Sequence, residues 1–164
     1  MTNFRFENNS KRKFFMKLEE EIYQKNFKTP QQKLAINILF TSNWLNSKYE
    51  HFFKGIDLTH QQYNVLRILR GQNPNPCSLK YIKERMLDKM SDTSRILDKL
   101  VAKGYAKREI CPQDRRSINA SISDKGLAIL KDLDFIDDIT IDTFKNLSKT
   151  KVKLLNELLD ELRG

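Results

Sequence analysis

Hydrophobic residues recur along most of this chain at three- and four-residue spacing, the period of a helix with one buried face. Phe14, Phe15, Leu18 and Ile22 share such a face over residues 10–25, and Ser10 is placed to cap that short helix. In the KTPQQ that follows, Thr29 is the expected N-cap, Pro30 the first helical residue and Gln32 the capping-box partner. A long helix is predicted from there to about Lys54, ending before Gly55. Its stripe of Leu34, Ile38, Leu45, Tyr49 and Phe52 is widened by Ala35, Leu39, Trp44 and Phe53. A stripe of that width has more than one partner to bury against, which points to packing with another subunit.

The next start is LTHQQ, with Thr59 as cap, Gln62 closing the box, and Val65, Leu66 and Leu69 facing inward. Gly71 to Pro76 is a breaker loop. Ser78 caps a short helix carrying Leu79, Ile82 and Met86. Another begins near Ser91, buries Ile96, Leu97, Leu100 and Val101, and stops at Gly104. Beyond Gly104 the period shortens to two. YAKREI and INASI alternate on either side of the polar turn CPQDRRS, predicting two strands of a hairpin with a basic tip. Ser123 then caps a helix through Leu127, Leu130, Leu133, Ile136 and Ile139. A last helix, capped by Ser148 or Thr150, carries Val152, Leu155, Leu158, Leu159 and Leu162.

The predicted fold class is therefore mainly α with a small β-hairpin wing, a winged helix-turn-helix flanked by N- and C-terminal dimerisation helices. Residues 1–29 form an N-terminal extension, residues 30–57 and 124–164 the dimerisation helices, and residues 58–123 the winged DNA-binding domain. The stripes of 34–53, 124–144 and 150–162 hold more apolar surface than a three-helix unit covers. Leu127, Leu130, Phe135, Phe144, Leu155 and Leu158 are expected at the dimer surface.

Composition narrows the function. The chain has 164 residues, the size of one ordinary domain, and 30 Lys and Arg against 21 Asp and Glu leave a net charge of +9. That excess favours a polyanionic partner, nucleic acid first. No apolar run approaches the roughly 20 residues of a bilayer crossing, and the N-terminus lacks the apolar stretch of a signal peptide, so a cytoplasmic protein is expected. KRKFFMKLEEEIYQK mixes its charges and argues against a membrane-surface role. Nucleotide-binding glycine loops and the GxSxG of serine esterases are missing, so neither an enzyme nor a cofactor is expected. Nothing metal-like surrounds His51 or His60, which read as surface histidines. The acidic group Asp132, Asp134, Asp137, Asp138 and Asp142 reads as a solvated face.

The helix near Ser91 presents Ser91, Asp92, Thr93, Ser94 and Arg95 at its N-terminus, with Asp98 and Lys99 one turn on. Such a helix is suited to a major groove, where a guanidinium reads guanine and hydroxyls reach phosphates or base edges. Asp92 complements the helix dipole. The tip Asp114-Arg115-Arg116 places cations where a minor groove accepts them.

LTHQQYNVLRIL, SDTSRILDKLVAKGYAKRE and DRRSINASISDKG together resemble the MarR family of multiple antibiotic resistance regulators. Ile122 and Ser123 stand where the family pattern has Leu and Thr, and Gly126 keeps its glycine; the likeness spans roughly residues 32–162. It implies a homodimer on a pseudo-palindromic DNA duplex, acting as a repressor relieved by a small aromatic ligand. It also implies that Arg116 enters the minor groove, that Asp114 steadies the wing, and that Ser91, Thr93, Ser94 and Arg95 are the helix contacts. Trp44, Tyr63 and Arg67 are candidates for the ligand pocket. Cys77 and Cys111 are candidates for redox sensing, Cys77 through a thiol pKa lowered beside a helix N-terminus. Neither occupies the early-helix position of the family's peroxide-sensing branch, because residues 1–54 contain no cysteine. The alternatives are a winged-helix protein-interaction module without DNA readout and a thiol-based redox-sensing regulator.

Overall fold

The computed structural model describes residues 16–110 and 118–164, for Asp137 the backbone alone, and the chain divides into two units at Lys54.

In the first unit, α1 (Leu18–Glu21) is a single turn and α2 (Pro30–Phe53) the long helix. The helix predicted over 10–25 is cut short at its C-terminal end. Ile22 leaves the helical backbone and Tyr23 takes φ 54°, a left-handed conformation that stops an L-residue helix. Ser10, Phe14 and Phe15 lie outside the described residues. The Lys33 ammonium donates to the Glu19 carboxylate, tying α1 to α2 and holding that carboxyl below its ordinary pKa. Thr29 caps α2 by accepting the Gln32 N–H at 3.1 Å, but the expected box does not close. Gln32 accepts instead from the Lys28 N–H at 2.7 Å. Along α2 only Phe53 is buried, and Leu34, Leu39 and Trp44 are exposed.

The second unit begins with α3 (His60–Gln72), whose capping box is complete. Thr59 Oγ1 accepts the Gln62 N–H at 3.2 Å, and Gln62 Oε1 accepts the Thr59 N–H at 3.1 Å. Gly71 lies inside α3, so the loop to Pro76 starts later than predicted. Three antiparallel strands follow in the order β1-β3-β2: β1 (Cys77–Ser78), β2 (Ala106–Ile110) and β3 (Ile118–Ile122). The hairpin runs in register from Ala106 opposite Ile122 to Ile110 opposite Ile118. The third strand is an addition to the prediction, pairing Cys77 with Ala120 and Ser78 with Asn119. Between strands sit α4 (Leu79–Arg85), capped by Ser78, and α5 (Thr93–Ala102). α3 is the hub of the core: it touches α4, α5, β3 and α6 (Asp124–Asp132), and Val65, Leu66 and Leu69 are almost fully buried.

The single helix predicted from Ser123 is two, α6 and α7 (Ile136–Thr143). The chain turns at Leu133–Phe135, leaving Leu133 and Ile136 buried and Phe135 exposed. Leu130, expected at a dimer surface, is buried within the chain. α8 (Lys149–Arg163) is capped by Ser148 and buries no residue; Leu154, Leu155, Leu158 and Leu162 are all exposed. The acidic group is solvated as expected: Asp132, Asp134, Asp138 and Asp142 are all exposed, with Asp134 accepting from Arg70 at 3.1 Å and Asp142 from Lys145 at 2.7 Å. The Asp137 side chain lies outside the description.

One joint positions the rest. Ser123 Oγ donates to the Gly104 carbonyl at 2.7 Å and accepts the Gly126 N–H at 3.0 Å, while the Ser123 N–H donates to the Tyr105 carbonyl at 3.1 Å. Gly104, at φ +75°, turns the chain from α5 into β2, and the start of α6 is pinned against that turn.

Candidate nucleic-acid interface

The geometry of α5 follows from its phase. Thr93, Ile96, Leu97 and Leu100 repeat at three and four residues and are all buried, leaving Arg95, Asp98 and Lys99 exposed on the other side. Arg95 and Lys99 are one turn apart on a common exposed face. The cap is Asp92: its Oδ1 accepts the Arg95 N–H at 3.0 Å. Its negative charge therefore serves the positive end of α5.

Thr93 does not reach the exposed face. It is 6 % accessible, and its hydroxyl donates to the Met86 sulfur at 3.2 Å, so it seats the helix on the residue that follows α4. Ser94 is half-buried. Ser91 is committed locally. Its hydroxyl donates to Asp88 Oδ2 at 2.6 Å and accepts from Gln61 Nε2 at 3.0 Å. Asp88 also accepts the Met90 N–H at 2.9 Å and Gln61 Nε2 at 3.3 Å. These donors, the Ser91 hydroxyl foremost, hold the Asp88 carboxyl below the usual carboxylate range. The turn between α4 and α5 is thereby strapped to the first turn of α3.

The exposed side of α5 is braced against the wing. Arg108 of β2 donates to Asp98, which neutralises the one carboxylate of α5 beyond its cap. Lys107, Arg108 and Glu109 are exposed along β2. Cys111, Asp114, Arg115 and Arg116 lie outside the described residues.

The remaining candidates belong to different units of the chain. Trp44 belongs to the first unit, with the Lys48 ammonium 5.0 Å from its ring centroid. In the second unit, Tyr63 is buried and the Arg67 guanidinium stands 5.8 Å from its ring centroid. Cys77 departs from expectation. It is buried in β1, and burial pushes its thiol pKa up, against a smaller downward pull from Arg85. His60 is half-buried, not a surface residue, and burial lowers its pKa. Among the described residues no cluster of three or more His, Cys, Asp and Glu could hold a metal ion, and no helix is long and apolar enough to cross a membrane.

The family model described as the MarR family matches residues 56–117, from the lead into α3 to the wing. Over that segment the chain is similar to the MarR family. The HTH-type transcriptional regulator SarZ from Staphylococcus haemolyticus is 25 % identical over 126 residues, covering 77 % of this chain and 84 % of that protein. The MarR transcription factor from Planctomyces limnophilus superposes with a TM-score of 0.61 at 27 % identity, over 84 % of this chain and 98 % of its own. BpsR from Bordetella bronchiseptica, whose DNA binding is regulated by 6-hydroxynicotinic acid, shares the fold with a TM-score of 0.73 at 19 % identity, over 84 % and 98 % of the two chains. The fold shared with these proteins is a winged helix with a three-stranded sheet.

Sequence reasoning passed over Gln61, Asp88 and Arg108. The spacing Asp88-x-x-Ser91 is that of a side-chain-bonded turn and was a readable signal for Asp88. Gln61 and Arg108 act across 27 and 10 positions of sequence, and nothing local announces them.

Proposed function

We propose that this MarR-type regulator binds a pseudo-palindromic DNA operator as a homodimer and represses transcription until a small aromatic ligand releases it. The observation that supports DNA reading is the exposed Arg95–Lys99 face of α5, on a helix whose cap and opposite side are fully occupied by the fold. A rigid helix with a guanidinium near its N-terminus matches major-groove readout of guanine. Lys99 is proposed for phosphate contact and Ser94 for a shorter polar contact, while the Ser91 hydroxyl, engaged by Asp88 and Gln61, holds the turn before them. Thr93 is the support beneath them. Arg115 and Arg116 are proposed as minor-groove contacts of the wing, with Asp114 steadying it.

Dimerisation is supported by α8, which exposes Leu154, Leu155, Leu158 and Leu162 and buries nothing within the chain. A helix whose leucine face stays exposed among the described residues calls for a further partner. Ligand control rests on the behaviour of BpsR and on the family, with Trp44, Tyr63 and Arg67 as candidates. Burial and the raised pKa of Cys77 disfavour it as a redox sensor.

The test is selection of bound sequences from random duplexes, with the mass of the complex measured in solution. The expected product is a two-fold site with half-sites about one helical turn apart, bound by two chains. Arg95→Ala should cost roughly 1–3 kcal/mol and relax preference at one position, whereas Lys99→Ala should lower the salt slope by about one. Binding that survives both substitutions unchanged overturns the assignment of α5, and binding independent of salt favours the protein-interaction alternative.

A further inference from the structure

The turn before α5 carries an oddity that DNA contact by cations does not explain. Met90 is 93 % exposed and Leu87 is 75 % exposed, two large apolar side chains within four residues of a strongly charged segment. Neither sits on a loose loop. The Leu87 N–H donates to Asn64 Oδ1 of α3 at 3.2 Å. The Met90 N–H donates to Asp88 Oδ1 at 2.9 Å, and the same carboxylate holds Ser91 and Gln61. The backbone is thus fixed by hydrogen bonds while the side chain of Met90 is left in water. Met90 stands two residues before the Asp92 cap, so its Cα lies within about 7 Å of the cap's by chain reach. It is continuous with the end of α5 that bears Arg95.

We propose that Met90 reads DNA through the 5-methyl group of thymine in the major groove. The inference rests on the DNA-binding reading above and deepens it. The occupant is chosen by chemistry. Among base edges in that groove, the thymine methyl is the apolar feature, and apolar side chains contact it. Methionine suits the task, because its thioether is polarizable and its unbranched chain adapts to the base step beneath it. Flanking Lys89 and the Arg95–Lys99 face would engage the phosphates and the neighbouring bases, leaving position 90 to discriminate by a methyl group.

The experiment takes the duplex selected above and replaces its thymines one at a time by uracil, which removes the methyl and leaves the hydrogen-bonding edges unchanged. Affinities are measured for the parent and for Met90→Ala. At 93 % exposure, position 90 tolerates truncation without loss of fold. At one thymine in each half-site, uracil should weaken the parent about fourfold, the worth of one buried methyl-sized group, and should leave Met90→Ala unchanged within error. If uracil weakens both proteins equally, or weakens neither at any position, the inference fails while specific binding stands. If no duplex is selected at all, the DNA-binding reading fails and takes the inference with it.

Discussion

Replacing Gly126 by alanine should destabilise the second unit, whereas the same replacement at Gly71 should stabilise it. Both glycines lie in helices with no positive φ, so backbone strain does not separate them. Space does. A Cβ on Gly126 would stand 2.8 Å from Cγ1 of Ile122 and 3.1 Å from the carbonyl carbon of Tyr105, with that carbonyl's oxygen closer still. Carbon atoms rest at about 3.5–4.0 Å, so the neighbours must retreat by more than half an ångström. They have nowhere easy to go. Tyr105 and Ile122 are buried, and the Tyr105 carbonyl already accepts the Ser123 N–H at 3.1 Å.

Overpacking of this kind costs about 1–3 kcal/mol, and an obstacle of main chain places Gly126 in the upper part of that range. The better helix propensity of alanine returns up to about 1 kcal/mol, leaving a net loss near 1–2 kcal/mol. At Gly71 nothing lies within 4 Å, and alanine should gain about 0.4–1 kcal/mol through the unfolded chain. Urea unfolding reads both. With a slope of about 2 kcal/mol/M, the midpoint should fall by roughly 0.5–1 M for Gly126→Ala and rise by a few tenths for Gly71→Ala. A Gly126→Ala midpoint equal to or above the parent's would refute the close approach of α6 to the turn after α5.

Two further outcomes follow from buried titratable groups. Burial lowers the folded-state pKa of His60 below its ordinary 6.5, so the unfolded chain takes up the proton first. Its contribution to stability is complete above that value and lost as pH falls through it. The stability difference between parent and His60→Gln should therefore shift in the variant's favour between pH 7 and 5.5, and a constant difference in paired urea titrations would contradict the burial. For Cys77, a Cys111→Ser background isolates the thiol. Labelling by a disulfide reagent should be slow in the folded protein and fast in denaturant, and labelling at the rate of a free thiol in the folded state would reverse the reading.

The parts legible in the sequence are those governed by local chemistry. Thr59 with Gln62, Ser78 and Ser123 cap where their side chains predicted, and Ser148 is the one of the two candidates, Ser148 and Thr150, that caps the last helix, because an N-cap hydroxyl bonds an amide three residues on. Where two polar residues compete, local reading falters: Asp92 outbids Ser91 for the amides of α5, since Ser91 is engaged by Asp88 and Gln61. The burial of Thr93 was readable and went unread. Counting back three from Ile96 places it on the apolar stripe, yet a threonine near a helix N-terminus invites a surface role. The two-residue strand β1 is too short to show a period and exists only through its pairing with β3. The break between α6 and α7 carries no glycine or proline, and depends on burying both Leu133 and Ile136. Of the candidate site, the cations of α5 were visible from spacing, but the strap beneath them joins Gln61 to Asp88 across the fold.

These fastenings bear on how such a protein is switched. α5 is held at its start by the Asp92 cap and the Asp88–Gln61 strap. At its end the Lys103 ammonium donates to the carbonyl and the carboxylate of Asp57 at 2.8 and 2.7 Å, and Lys125 donates to the Lys103 carbonyl at 2.8 Å. Its outer side meets Arg108, and its C-terminal turn is clasped by Ser123. A helix secured at both ends and from the wing does not bend independently, since moving it breaks several hydrogen bonds at about 1 kcal/mol each. A ligand that alters DNA affinity by a hundredfold has about 2.7 kcal/mol of differential binding to deploy, less than disassembling that frame requires. Ligand control of the proposed dimer is therefore expected to leave α5 and its fastenings intact.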